Sequence, residues 1–405
     1  MNITANTHAN TVAAMSETNR SNILQHLYHH GVSSRAQIAK ALELTPAAIT
    51  KITARLIEAG VIEETGDMEG MKNRRSIGLN LDVHRFHVIG VKFARSLVQI
   101  GVFDLAGAPL SLETLPTVHD DTIAETIADI HRRVERLIAA DARIVAVGMA
   151  VPGPYLRKVG RIAVVSGMQG WRKVNFIEEF QRAFAVPVFI EHDARAGVLA
   201  HSLFDPDCPL EDDLAYYLIG EGVGLGVIEH GQLVNGAIGA ATEIGHISID
   251  VNGRPCDCGN RGCLERYCSA SAIHAMLVED GEIVRGAAEL THAEACARLF
   301  AACDAGDGRA VAMVREIGRY VGYGCVTIFN AYNPKRIIIG DIVAGGGRVL
   351  LDEVRRVAAE RAIPEIVSST AISLSGLDAD ATVAGAAAVA VTQFLERPSL
   401  FFDVT

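Results

Sequence analysis

EIGHISIDVNGRPCDCGNRGCLERYCSA, residues 243–270, decides how the rest of the chain is read. It supplies Glu243, His246, Cys256, Cys258, Cys263 and Glu265, with glycines and Asn between the cysteines to turn the chain back on itself. One imidazole and three thiolates, from His246, Cys256, Cys258 and Cys263, are the ligand set of a closed tetrahedral zinc site with no open position for activated water. A single structural Zn2+ per chain is the expectation. The alternative, cysteines acting as small buried hydrophobes, conflicts with the polar, Gly-rich company they keep. Such a loop has little core of its own, so metal binding would supply much of its folding energy. Cys268 follows Tyr267 in what reads as a helix and is left out of the ligand set.

On both sides of this loop the chain alternates strands and helices. FHVIGVKF (86–93) and LVQIGVFD (97–104) read as strands, LAGAP (105–109) as a turn, and 122–140 as a long helix. RIVAVGMAVPGP (143–154) reads as a buried parallel strand meeting a loop. A second such series begins at Leu214. Two α/β lobes side by side leave a cleft, and ligands sit in clefts at strand ends. FIEHDARAG (189–197) places Asp193 at a strand's carboxyl end, where it can accept from a ligand hydroxyl or simply cap a helix. GEGVGLG (220–226) is compatible with a phosphate cradle and equally with a hairpin turn. Residues 318–340 read as a helix, a Pro stop and a buried strand, and 378–395 as an Ala-rich closing helix, both as scaffold.

The first eighty residues have a different character. Residues 19–30 carry Ile23, Leu24 and Leu27 at helical spacing before Gly31. Ser34 and Gln37 make a capping box for a second short helix. Thr45 as N-cap and Pro46 at the first position open a third, which stops at Gly60. Its apolar positions Ile49, Ile52, Leu56 and Ile57 face a core, leaving Thr45, Ala47, Ala48, Thr50, Lys51 and Arg55 for the other side. This is the pattern of a helix-turn-helix whose second helix enters the major groove. A strand starting at Val61 and Ile62, a turn-rich excursion over 66–73 and a returning strand at 76–81 make a wing, with Lys72, Arg74 and Arg75 at its tip for phosphate or minor-groove contact. The competing reading is a three-helix packing module with solvated charges.

The 405 residues are 49% apolar, enough for two or three folded units, and 37 Lys and Arg stand against 48 Asp and Glu. Residues 1–82 hold eight of each, so all the excess acid lies beyond them, which argues against a protein basic throughout. No apolar run is long enough to span a membrane, and the amino terminus lacks a signal-peptide pattern, so a cytoplasmic protein with no membrane partner is expected.

Taken together, EIGH, CDCGNRGCLE and the winged head resemble the ROK family (repressors, open reading frames, kinases), and within it the sugar-responsive regulators of the NagC, XylR and Mlc type. The resemblance covers nearly the whole chain. It implies an α/β fold, a winged helix-turn-helix followed by a two-lobed body like sugar kinases, hexokinase and actin (ribonuclease H-like). The expected division is residues 1–82 as the DNA-binding domain, 83–195 plus 380–405 as the first lobe, and 196–379 as the second, with the zinc loop and a dimerisation surface. It also implies a sugar site lined by Gly153, His192, Asp193, Glu243, His246 and Glu265, with His246 shared by the zinc.

The departures separate regulator from enzyme. ROK kinases carry an Asp-x-Gly-Gly-Thr turn that grips ATP phosphate and metal, whereas Lys92 to Ser96 here read KFARS, without the acid or either glycine. His192 stands where the kinases have Asn, and Gly167 in SGMQGW (166–171) where their sugar loop has Asn. The resemblance therefore implies no enzyme, but a dimer or dimer of dimers that binds operator DNA and is released by a sugar or sugar phosphate. The competing expectations are a kinase with a DNA-binding head and a repressor controlled by a sugar-transporter protein.

Overall fold

The computed structural model describes residues 3–68, 76–163, 169–208, 212–377 and 380–403. Lys72, Arg74 and Arg75 of the wing tip and Gly167 of the sugar loop lie outside the described residues.

The head opens with a helix at Ile3–His30, which begins well before the expected Asn19. The short helix Arg35–Ala41 carries the expected capping box, with Gln37 N donating to Ser34 Oγ and Ser34 N to Gln37 Oε1. The helix Pro46–Glu58 is N-capped by Thr45, whose Oγ1 accepts from Ala48 N at 3.2 Å. Strands Ser33–Ser34, Ser76–Asn80 and Glu63–Met68 form an antiparallel three-stranded sheet in that order. The wing strand starts two residues later than the sequence suggested. Val61 and Ile62 point into the core instead, because their backbone N–H groups still bond back to Leu56 O at the end of the helix.

Each lobe of the body is built on a five-stranded sheet of the same plan. In the first, strands run in the order Val188–His192, Ile144–Val151, His87–Phe93, Val98–Asp104, Pro109–Thr114. In the second the order is Ala371–Leu374, Arg336–Gly340, Leu214–Ile219, Val223–Glu229, Gln232–Leu233. In both, the central strand pairs parallel with one neighbour and antiparallel with the hairpin partner that follows it in sequence. The central strands are buried along their full length, His87 and Lys92 of the first included.

GEGVGLG is a hairpin: Gly220 N donates to Gly222 O at 3.0 Å between antiparallel strands. The closing helix Ala381–Glu396 lies across the first sheet so closely that a Cβ on Gly148 would come 1.8 Å from Ala386 O. Its small residues are what permit that approach. One hydrophobic cluster joins this helix to Ile23, Leu24, Leu27, Ile49 and Leu56 of the head, so head and first lobe share a core.

Candidate functional site

The loop after Glu243 folds back through two bridges, Ser248 with Cys263 and Pro255 with Arg261. It gathers ligand atoms of His246, Cys256, Cys258 and Cys263 to within 4.8 Å of one another. Cys258 and Cys263 sulfurs are 3.6 Å apart, and His246 Nδ1 is 3.8 Å from Cys256 Sγ. A zinc tetrahedron with sulfur at ~2.3 Å has edges of about 3.8 Å, so the donor set and its spacing fit that ion. Cys268 is fully buried in the core of the second lobe, apart from this group. A further trio, His201, Asp205 and Cys208, is a hydrogen-bonded knot: His201 Nδ1 lies 2.9 Å from Asp205 and Nε2 3.2 Å from Ser375 Oγ.

Between the lobes is a cavity of about 380 Å³, and all six sequence-predicted residues, Gly153, His192, Asp193, Glu243, His246 and Glu265, line it. Asp193 opens the helix Asp193–Phe204 directly after the strand Val188–His192, so it stands at a strand's carboxyl end and also accepts from Ala194 N. A buried pair steadies this corner, Arg195 Nε donating to Glu191 Oε1 at 2.8 Å while the same oxygen accepts from His192 N. His192 Nε2 is 3.0 Å from Asp193 Oδ1, and a Cβ on Gly153 would collide with that ring. Burial, with the charge of Arg195 adding to it, pushes His192 down to about 3, so the ring is neutral. Burial raises Asp193 to about 7 and Glu243 to about 8. Among the described residues Glu243 Oε1 is buried without a hydrogen-bond partner. The loop carrying this His/Cys cluster meets the cleft at Glu265, whose Oε1 is 3.4 Å from Cys256 Sγ and 3.8 Å from His246 Nδ1.

Three acids of this cleft were missed by the sequence reading. Asp341, directly after the strand Arg336–Gly340, lies just past a segment read as scaffold, and Asp380, N-cap of the closing helix, falls within another. Glu221 sits at the hairpin turn. Asp341 had a signal: it ends a buried apolar strand in the second lobe much as Asp193 does in the first. Thr242 and Asp341 adopt positive φ, 67° and 69°, a strained backbone of the kind that gathers at functional sites.

On the head, Thr45, Ala47, Thr50, Lys51 and Arg55 are exposed on one side of the helix Pro46–Glu58, with Ala48 half-buried among them. Arg55 pairs with Glu58 at 3.3 Å. Arg35, turned inward, ties this helix to the wing through Thr53 Oγ1 and Glu64 Oε1.

A winged helix-turn-helix joined to a two-lobed, actin-like body with a sugar-kinase cleft defines a class of protein. The ROK family model matches residues 88–393, three quarters of the sequence, and the chain belongs to the ROK family. A second model, winged helix-turn-helix DNA-binding, matches residues 17–63. The N-acetylglucosamine repressor of Escherichia coli O157:H7 is 28% identical over 381 residues, 91% of each chain. The xylose repressor of Bacillus subtilis (strain 168) is 25% identical, covering 94% of this chain and 96% of its own. Among solved structures, a ROK family transcriptional regulator described as a homologue of the E. coli MLC protein superposes with a TM-score of 0.78 at 28% identity, over 95% of this chain and 98% of its own. A ROK family glucokinase from Streptomyces griseus, in complex with glucose and AMPPNP, gives 0.65 at 25% identity, over 74% and 98%.

Proposed function

We propose that the protein is a transcriptional repressor whose cleft binds a sugar and thereby loosens its hold on operator DNA. The observation that carries this reading is the conjunction of an exposed recognition helix with a cleft in which Glu243 holds a buried oxygen that has no partner among the described residues, ready for a ligand hydroxyl. Burying such an acceptor unpaired costs about 1–3 kcal/mol, which a sugar hydroxyl would recover. Gly153, His192, Asp193, Glu243, His246 and Glu265 are the sugar residues in this reading. Thr45, Ala47, Ala48, Thr50, Lys51 and Arg55 face DNA, with Lys72 and Arg74 of the wing as phosphate contacts.

Zinc held by His246, Cys256, Cys258 and Cys263 stiffens the loop that carries Glu243 and Glu265. Residues 1–82 are the DNA reader, 83–195 with 380–405 the first lobe, and 196–379 the second. The chain works as a dimer, matching two operator half-sites one helical turn or a multiple of it apart. It has no kinase activity, because Lys92 replaces the acid that would partner magnesium and Arg95 replaces a close-approach glycine.

Support for the regulator comes from relatives named as repressors that match over nine tenths or more of both chains. The test is a thermal-shift screen of sugars and sugar phosphates on the full chain, followed by operator release with any hit. A ligand that raises the melting temperature and frees DNA is expected. Sugar-dependent ATP consumption would overturn the reading in favour of a kinase, and operator release by a transporter protein alone would overturn the sugar effector.

A further inference from the structure

Two arrangements in the cleft have no part in the sugar reading. At the turn Ala94–Ser96 three donors converge on one carboxylate from the opposite lobe. Arg95 N and Ser96 N lie 3.0 and 3.4 Å from Glu221 Oε2, and Ser96 Oγ donates to Glu221 Oε1 at 2.7 Å. Successive backbone N–H groups with a hydroxyl are the way a turn holds a phosphate. Here the anion is a side chain.

Two strand residues back, the Lys92 ammonium lies 2.7 Å from Asp380 Oδ2 and 3.5 Å from Asp341 Oδ2, with Asp193 lining the same cavity. A ring of carboxylate oxygens is what a hard divalent cation requires. Here the cation is a lysine, only 5% exposed. Burial works against its charge, and Asp341 and Asp380 outweigh that and hold its pKa above the usual lysine range.

The glycine hairpin serves these groups as well. A Cβ on Gly220 would meet Asp341 at 2.9 Å, and one on Gly222 would meet Arg95 Nη2 at 2.6 Å. Arg95 in turn lies 3.5 Å from Glu265.

We propose that Glu221 and Lys92 are specificity-determining residues that fill the anion and cation subsites of the cleft from within, so that the effector is an uncharged monosaccharide and phosphate esters, sugar-borne or nucleotide-borne, are excluded. This rests on the cleft being a sugar site. Lys92 and Arg95 face Asp193, Glu221, Glu243, Glu265, Asp341 and Asp380, and even with protons held on Asp193 and Glu243 the acids outnumber the two cations. A phosphate dianion entering this field meets a surplus of negative charge, and must displace a carboxylate from the turn or from a cation in a poorly screened site. A neutral ring brings hydroxyl donors to Asp193 and Glu243 and displaces nothing.

The test uses the zinc-replete full chain and calorimetry with glucose, xylose and N-acetylglucosamine, each beside its terminal phosphate ester, and with AMPPNP plus Mg2+. A neutral sugar is expected to bind at least tenfold more tightly than its ester, and AMPPNP to give no heat. An ester that binds more tightly than its parent sugar, or micromolar AMPPNP binding, overturns the proposal. If neither sugars nor esters bind, the sugar reading itself fails, and the internal occupancy is decided by variants. Glu221→Ala releases three donors beside Arg95 and should bind AMPPNP at least tenfold more tightly than the wild type. Lys92→Ala leaves Asp341 and Asp380 facing each other, so Mn2+ should raise its melting temperature by several degrees without moving the wild type's. Unchanged AMPPNP affinity in the first variant, or no manganese effect in the second, overturns the corresponding half.

Discussion

In the proposed sugar site Asp193 would serve binding at the expense of stability. Burial raises its pKa to about 7, so between about pH 4 and 7 the folded chain keeps a proton that the unfolded chain has lost. Its contribution to stability is therefore fully present below about pH 4 and falls away as pH rises through 7. Asp193→Asn never ionises: it should melt a few degrees above the wild type at pH 8, with a smaller gap at pH 5, and lose sugar binding. Thermal scans at the two pH values check this, and an equal gap at both would remove the assigned cause. In the wild type the carboxylate is the better acceptor for a sugar hydroxyl, so binding should draw off a proton near pH 7. Calorimetry in buffers of different ionisation enthalpy measures that release. At the zinc loop, Cys258→Ser should lose the metal and, with it, both stability and sugar response. Metal content and melting temperature are the readouts, and full zinc occupancy in the variant would contradict the assigned ligand set.

At the scale of the element, the closing helix Ala381–Glu396 does more than cover a sheet. Asp380 at its amino end holds Lys92 in the cleft, while Phe394 near its other end packs against Phe86, Phe401 and Phe402 beside the head. Sixteen residues at about 1.5 Å each make one rigid strut of roughly 24 Å between the cleft and the helix-turn-helix head. Gly148→Ala drives a methyl into Ala386 O, and the strut must shift. We expect a loss of about 1–3 kcal/mol, measured by denaturant unfolding, and weaker coupling of sugar to DNA. On the recognition helix, Lys51→Ala should weaken operator binding. Equal loss on all sequences marks a phosphate contact, and relaxed specificity a base contact.

For the whole molecule, the proposed function requires sugar binding and operator binding to be linked. A sugar that favours the DNA-incompetent arrangement by about 1–3 kcal/mol weakens the operator about 5- to 150-fold, and operator DNA weakens the sugar by the same factor. Titrating sugar into the free protein and into its operator complex measures both sides of that cycle, and unequal factors would show that a third component takes part. The shared core between head and first lobe gives this linkage a contiguous path, with Tyr28 Oη donating to Leu105 O at 2.8 Å across the junction.

The sequence by itself determined what short-range chemistry encodes. The His/Cys cluster that could hold a metal, the capping box, the N-cap of the helix Pro46–Glu58 and the buried strand Ile144–Val151 depend on spacing and residue type within a few positions, and each was legible. Six cleft residues were legible too, because the motifs around Asp193, Glu243 and Glu265 carry a family resemblance. The tertiary structure alone decided that Lys92 meets Asp380 and Asp341, and that Glu221 sits on the turn at Ser96. Those partners lie between 125 and 288 positions apart, one pair within the first lobe and the others across the cleft, and no local pattern reports a pairing made only when distant segments fold together.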